Sequence, residues 1–318
     1  MSALRPSAEM SAILTRLEIE DAHLPDPTLL PPEKGRAQAA AGTDRWNVDL
    51  PEMQAVRDVV VSGPGGEIAC RILTPKGAPR GTILFIHGGG WAFGSLTSHE
   101  RCARVLADEA QANVILFDYR LAPELPHPAG LDDCGAVLAA LAAGDAPFDG
   151  LTGPIALAGD SAGANLAMGL MLSDAPRVAC GLLFYGVYGT DFNSPSYVEC
   201  ADGPGLTRDK MRRYWDWYAA DAQRGDPRVA PLAAGDDALA ALPPLYLNAA
   251  EIDPLRSDTE AMFRRLSGLG RRDRFRLHPG VIHGFLQMTL ALEEARQALA
   301  DAGAAFREMT APRAQRET

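Results

Sequence analysis

Apolar positions along this chain fall into short runs, and most of the stretches between them carry a helical period. Runs that read as strands lie at residues 56–61, 68–73, 82–86, 114–119, 155–158, 178–185, 244–249 and 272–277. The first two alternate or carry charge, as edge strands do. The middle ones are apolar throughout, as strands covered on both faces are. Helical spacing predicts helices at 100–109, 131–143, 162–173, 258–269 and 286–307. This alternation predicts one α/β unit. Two regions do not join it. Residues 1–50 hold a helical pattern at 9–22 and then a proline-containing connector at 24–32. Residues 189–230 include a predicted helix at 209–218 with aromatics on more than one side. Aromatics that no strand scaffold matches need another surface to cover, and a pocket roof is one.

Composition narrows the function. The chain has 318 residues, 47% of them hydrophobic, enough to bury a sizeable core. Its formal net charge of -11 argues against nucleic acid and anionic membrane as partners, since both require basic patches. The first twenty residues lack a basic start followed by an apolar core, and no run of about eighteen apolar residues occurs. A cytoplasmic protein without integral membrane association is expected. Five cysteines, Cys70, Cys102, Cys134, Cys180 and Cys200, are scattered singly. They read as buried small hydrophobes in a reducing compartment, without metal spacing.

The candidate chemistry lies on two glycine-bearing loops. Gly159-Asp160-Ser161-Ala162-Gly163 follows the apolar run at 155–158 and precedes helical spacing, the form of a nucleophile elbow. Such a turn strains the serine backbone and requires flanking glycines, because side chains there would strike neighbouring main chain. Upstream, His87-Gly88-Gly89-Gly90-Trp91 ends another apolar run, as an oxyanion-hole loop does. Attack by a serine on an ester carbonyl puts negative charge on the carbonyl oxygen. Main-chain N–H groups aimed at that oxygen stabilise the transition state, and losing one costs on the order of 3 kcal/mol.

In an elbow of this kind the acid and then the histidine follow the serine in the chain. His278 falls within an alternating strand and reads as structural, whereas His283 lies in a loop beyond that strand, within reach of the elbow. The strand at 244–249 delivers Glu251 and Asp253 to its C-terminal end. Either carboxylate is a candidate acid. A competing reading makes Asp253 a helix cap ahead of Pro254, and one side chain is not expected to serve both tasks. Asp258 is expected to be a solvated charge in the next helix. The backbone N–H of Ala162 is one expected oxyanion donor. His87 reads as a brace for the loop, and Asp160 is expected to point away from Ser161. The 119–124 segment reads as a scaffold loop with room for an ion pair.

Together these motifs, with Asp118-Tyr119-Arg120-Leu121-Ala122-Pro123-Glu124, Asp253-Pro254-Leu255 and His283-Gly284-Phe285, resemble the hormone-sensitive-lipase-like branch of the α/β-hydrolase esterases over residues 55–305. Two small departures are Ala164 in place of a further glycine and Ala230 in place of a serine. The resemblance implies an α/β-hydrolase fold: a mostly parallel eight-stranded sheet flanked by helices, with a helical cap. The cap is expected from residues 1–50 and 189–230, over a core at 51–188 and 231–318. The resemblance also implies Asp253 as the acid and Gly89 and Gly90 as further oxyanion donors. A serine carboxylesterase for short- to medium-chain esters is expected, acting without cofactor or metal on a small-molecule ester. Trp91, Phe93, Tyr188 and Phe285 are expected to close its pocket. The alternatives are an arylformamidase-like amide hydrolase with the same triad and, more remotely, a noncatalytic small-molecule receptor. Relatives pair through the last strand, which implies a homodimer, although charge on that edge opposes pairing.

Overall fold

A computed structural model describes residues 4–173 and 178–311 of the chain. Residues 1–3 and 312–318, at the outer ends of the first and last expected segments, lie outside them. Eight strands form one sheet: β1 (Ala55–Gly63), β2 (Gly66–Thr74), β3 (Thr82–Ile86), β4 (Asn113–Phe117), β5 (Ile155–Asp160), β6 (Cys180–Phe184), β7 (Leu245–Ile252) and β8 (Arg274–Ile282). Their order is β1-β2-β4-β3-β5-β6-β7-β8, antiparallel at β1/β2 and β2/β4 and parallel elsewhere. This is the expected mostly parallel eight-stranded sheet, and of the charged stretch at 272–276 residues 274–276 fall at an edge, in β8, while 272 and 273 precede it.

The apolar runs are explained by two cores. Side chains alternate across a strand, so Leu84 and Ile86 of β3 enter one cluster while Ile83 and Phe85 enter the other. Both faces are covered, and β3, β4 and β6 are buried at every position. Helices α1 (Ala8–Asp21), α3 (Glu100–Ala110) and α10 (Glu293–Met309) bury residues in the cluster of Phe85. Helices α4 (Ala129–Ala143), α5 (Ala162–Met171), α7 (Arg208–Tyr218) and α9 (Arg256–Gly268) do so in the cluster of Leu84. All five cysteines are buried and unpaired.

Four features depart from expectation. Helix α2 (Pro32–Asp44) occupies a stretch with no predicted structure, and two short helices, α6 (Pro195–Glu199) and α8 (Asp236–Ala240), complete the set. The single helix expected at 286–307 is broken into a 3-10 turn, Phe285–Met288, and α10. The new helix start is met from outside: the Glu293 N–H, at the first turn of α10, donates to Glu9 Oε2 of α1 at 2.9 Å. Ser7, just before α1, donates its N–H to Gly280 O at 2.8 Å, so the N-terminal segment is tied to the end of β8. Among the described residues no helix is long and apolar enough to cross a membrane.

The parallel strands place their C-terminal ends on one side. The glycine loop leaves β3 there, Ser161 leaves β5, Asp253 leaves β7 and His283 leaves β8. Open α/β sheets present their chemistry at that edge.

Candidate active site

Ser161 is held at φ 54°, ψ -118° between β5 and α5. A non-glycine residue in that region costs roughly 1–3 kcal/mol, and the surroundings must over-determine it. Here its N–H donates to Phe184 O at 2.9 Å on the adjacent strand. The glycines are required sterically. A Cβ at Gly163 would lie 2.0 Å from Ile86 O, and one at Gly159 would lie 2.5 Å from the Gly163 carbonyl carbon.

The structure brings Ser161, His283 and Asp253 together. His283 Nε2 lies 2.9 Å from Ser161 Oγ, and its Nδ1 lies 2.7 Å from Asp253 Oδ2. An ionised carboxylate can only accept, so the neutral ring carries its proton on Nδ1 and leaves Nε2 free to accept from the serine. Tyr185 supports the ring edge-on, with centroids 4.8 Å apart. Asp253 is fully buried, and its other oxygen, Oδ1, accepts the Leu255 N–H at 2.8 Å. Capping and orientation were expected to exclude one another. The cap position of α9 is Leu255, without a side-chain bond; Asp253 instead closes the turn just ahead of the helix, and this coexists with orientation because each falls to a different oxygen.

Other candidates have other work. Glu251 Oε2 accepts the Gly280 N–H at 2.7 Å and so ties β7 to β8. His278 is buried against Phe285, and burial, aided by the nearby Arg276 charge, pulls its ionisation down to about 4. Asp258, expected in solvent, is buried. Its Oδ2 accepts the N–H groups of Tyr188 at 2.9 Å and Gly189 at 2.8 Å. Burial pushes this carboxyl up to about 7 against the pull of those two bonds. The reason for the departure is that its helix is the one that runs beneath the chain leaving β6.

The glycine loop is braced from below. Tyr119 Oη donates to His87 O at 2.9 Å and stacks on the His87 ring, with centroids 4.3 Å apart. Burial, with the neighbouring His99 ring, lowers the ionisation of His87 to about 3, so it is a neutral brace. Asp160 turns away from Ser161, and its Oδ1 accepts the Gly88 N–H at 2.8 Å. Burial pushes the Asp160 carboxyl up, but the His99 ring, the Gly88 N–H and the His283 ring outweigh it and hold it below its ordinary value. Gly89 adopts φ 117°, and a Cβ there would lie 2.3 Å from Phe93 O. The N–H groups of Gly89, Gly90 and Ala162 have no acceptor among the described residues. The 119–124 loop carries the anticipated ion pair, Arg120 with the buried Asp133 at 2.8 Å.

A cavity of about 200 Å³ stands over Ser161 and His283, walled by Leu206, Met211, Tyr214 and Gln287. A second, of about 380 Å³, adjoins it at Gly89 and His99 and runs beneath α2. Of the four aromatics expected around the pocket, Phe93 lines the second cavity. Trp91, Tyr188 and Phe285 are core residues instead. Trp91 faces inward because its indole N–H finds Asn165 Oδ1 at 3.2 Å and its face stacks on Tyr218, with centroids 4.1 Å apart. The residues that do line the first cavity were missed individually. Met211 and Tyr214 share one face of the aromatic helix flagged in the sequence, three residues apart. Leu206 and Gln287 gave no signal.

Comparison with known proteins agrees with this geometry. A family model for the alpha/beta hydrolase fold matches residues 83–287. Carboxylesterase NlhH of Mycobacterium tuberculosis is 37% identical over 222 residues, 68% of this chain and 70% of that protein. Among solved structures, ester-hydrolase EH1AB1 from the metagenome of Lake Arreo, complexed with a bipyridine phosphonate derivative, is 30% identical. It superposes with a TM-score of 0.88 over 95% of this chain and 98% of that one. A thermostable esterase from Pseudomonas putida ECU1011 is 27% identical, with a TM-score of 0.89 over 98% of this chain and 100% of that one. The chain belongs to the α/β-hydrolase family, in its hormone-sensitive-lipase-like branch.

Proposed function

We propose that this protein is a serine carboxylesterase acting on short- to medium-chain esters. The observation that carries the reading is the unbroken hydrogen-bond chain from Ser161 Oγ through His283 to Asp253, at 2.9 and 2.7 Å. Ser161 Oγ attacks the acyl carbonyl while His283 Nε2 takes its proton. Asp253 keeps the imidazole in the accepting tautomer and stabilises the imidazolium. The N–H groups of Gly89, Gly90 and Ala162 receive the charge that develops on the carbonyl oxygen, aided by the positive end of α5. His283 then protonates the departing alcohol oxygen. Water, deprotonated by the same ring, attacks the acyl-enzyme and releases the acid. No step calls for a cofactor or metal.

The modest cavity over Ser161, about 200 Å³, supports small esters, and the esterases among its relatives support the reaction class. Retention of all three triad partners weighs against a noncatalytic receptor. The test is turnover of p-nitrophenyl esters from acetate to palmitate, with the matching anilides alongside. Turnover should peak at short chains, exceed that of the anilides and drop by at least about 10³-fold in Ser161→Ala. Unchanged hydrolysis by that variant would sink the mechanism, and faster anilide cleavage would move the amidase reading ahead.

A further inference from the structure

A second histidine–carboxylate pair lies beneath the glycine loop. His99, at the start of α3, is 5% exposed, and its Nε2 lies 3.2 Å from Asp160 Oδ1. Its Nδ1 lies 2.9 Å from Ser98 Oγ. Ser98 is itself fixed, since its Oγ accepts the Ser95 N–H at 2.9 Å and lies 2.9 Å from Ser95 O. The oxygen that faces His99 is the one that accepts the Gly88 N–H at 2.8 Å. These contacts form one line: the 95–98 turn, the His99 ring, Asp160 and the main chain of Gly88. The line ends one residue short of Gly89, and His99 borders both cavities where they meet at that glycine.

We infer that His99 is a positioning residue for the oxyanion hole: it holds Asp160 in the rotamer that anchors Gly88 and thereby sets the direction of the Gly89 and Gly90 N–H groups. This rests on the esterase reading above for its catalytic consequence, although the anchoring itself does not. The chemistry of the ring supports the assignment. Asp160 can only accept, so the ring directs an Nε2–H at it, while Nδ1 rests 2.9 Å from the Ser98 oxygen, whose own proton goes to Ser95 O. The other oxygen of Asp160, Oδ2, meets only the Tyr185 hydroxyl among the described residues, at 3.4 Å, so His99 is the closer side-chain partner that fixes the rotamer. Ser98, His99 and Asp160 contain the residue types of a triad, but the Ser98 hydroxyl is locked in its own turn. Its only relation to the reaction is through Gly88. A loop displaced by a fraction of an ångström aims its donors beside the developing charge, which lowers kcat and leaves substrate binding in place.

Two near-isosteric variants separate this role from general packing. In His99→Gln the amide nitrogen occupies the place of Nε2 and still donates to Asp160. In His99→Asn it occupies the place of Nδ1 and reaches only Ser98. With p-nitrophenyl acetate, His99→Asn is expected to lose roughly 10- to 100-fold in kcat with KM within about threefold of the parent, while His99→Gln stays within about threefold in both. Hydrogen exchange of the Gly88 amide, followed by NMR without substrate, should accelerate in His99→Asn and not in His99→Gln. Equal losses in the two variants, or a Gly88 amide indifferent to both, would overturn the assignment. If His99→Asn does not fold, His99→Gln decides: retained kcat and an unchanged Gly88 amide support the role, and loss of either overturns it. A protein that cleaves no ester would refute the esterase reading, and the Gly88 amide would still answer for the anchoring.

Discussion

A carboxylate has two oxygens, and Asp253 uses each for a different purpose. Oδ1 closes the turn into α9 through the Leu255 N–H, and Oδ2 orients His283. Asp253→Asn separates the two. The asparagine keeps an acceptor for Leu255 and presents an NH₂ group to His283, which forces the ring proton onto Nε2. We expect kcat to fall by about 10⁴-fold while unfolding free energy changes by no more than about 1 kcal/mol. Esterase kinetics and urea denaturation on the same preparation check this, and a parallel collapse of both would show that the turn matters more than the ring. The same residue marks the limit of reading a sequence. The type and order of Ser161, Asp253 and His283 are visible along the chain because elbow chemistry dictates them. The number of bonds a buried oxygen can share is set by what folds around it. Asp258 teaches the same lesson, since its burial beneath Tyr188 and Gly189 comes from neighbours about 70 residues away.

At the level of elements, β3, β4 and β6 were legible because burial on both faces leaves them almost wholly apolar, and β1 and β2 because one face only is covered and the pattern alternates. Each expected run overlaps an observed strand. Helix α2 was not legible because it buries little: Gly35 is its one buried residue, and its sequence is alanine and charge without a period. What holds it is specific. Arg36 donates from Nε to Ala92 O and from Nη2 to Ala122 O, both at 2.8 Å, and pairs with Glu124. Glu124 is half exposed, so that ion pair contributes little. The two carbonyl bonds, to the chain just beyond the glycine loop and to the 119–124 loop, matter more. Arg36→Ala should speed amide exchange across Pro32–Asp44 by about tenfold or more, with α4 unaffected. Protection that stays equal in the two helices would mean that α2 is held by packing alone. The break before α10 was likewise invisible, and the Glu9 contact that meets the new helix start spans 284 positions.

For the whole molecule, buried ionisable groups set the response to acid. His87 and His278 are held neutral down to about 3 and about 4, mainly by burial, against an ordinary value of 6.5. Unfolding frees both to bind protons, so their contribution to stability is lost as pH falls below about 6.5. Asp258 acts in the opposite sense. Burial raises it to about 7 from 3.8, so the folded chain takes up its proton first and gains stability as pH falls through that window. Two groups outweigh one, and unfolding free energy should fall between pH 6.5 and 4. In Asp258→Asn, which keeps an acceptor for both N–H groups, the fall should steepen by up to about 1.4 kcal/mol per pH unit. Denaturation at closely spaced pH values tests this; an unchanged slope would remove Asp258 from the balance. The last strands have one more effect, on the order in which a newly made chain becomes competent. Ser161 leaves the ribosome 122 residues ahead of His283, the histidine proposed to activate it. Helix α1 emerges long before its partners and must wait for Gly280 and Glu293 before it can dock. Long-range closure of this kind is slow compared with local folding. On the esterase reading, the nascent protein therefore carries an inert hydroxyl while those 122 residues are added, and hydrolysis would report that β8 has been laid down, not merely that the sheet has begun to form.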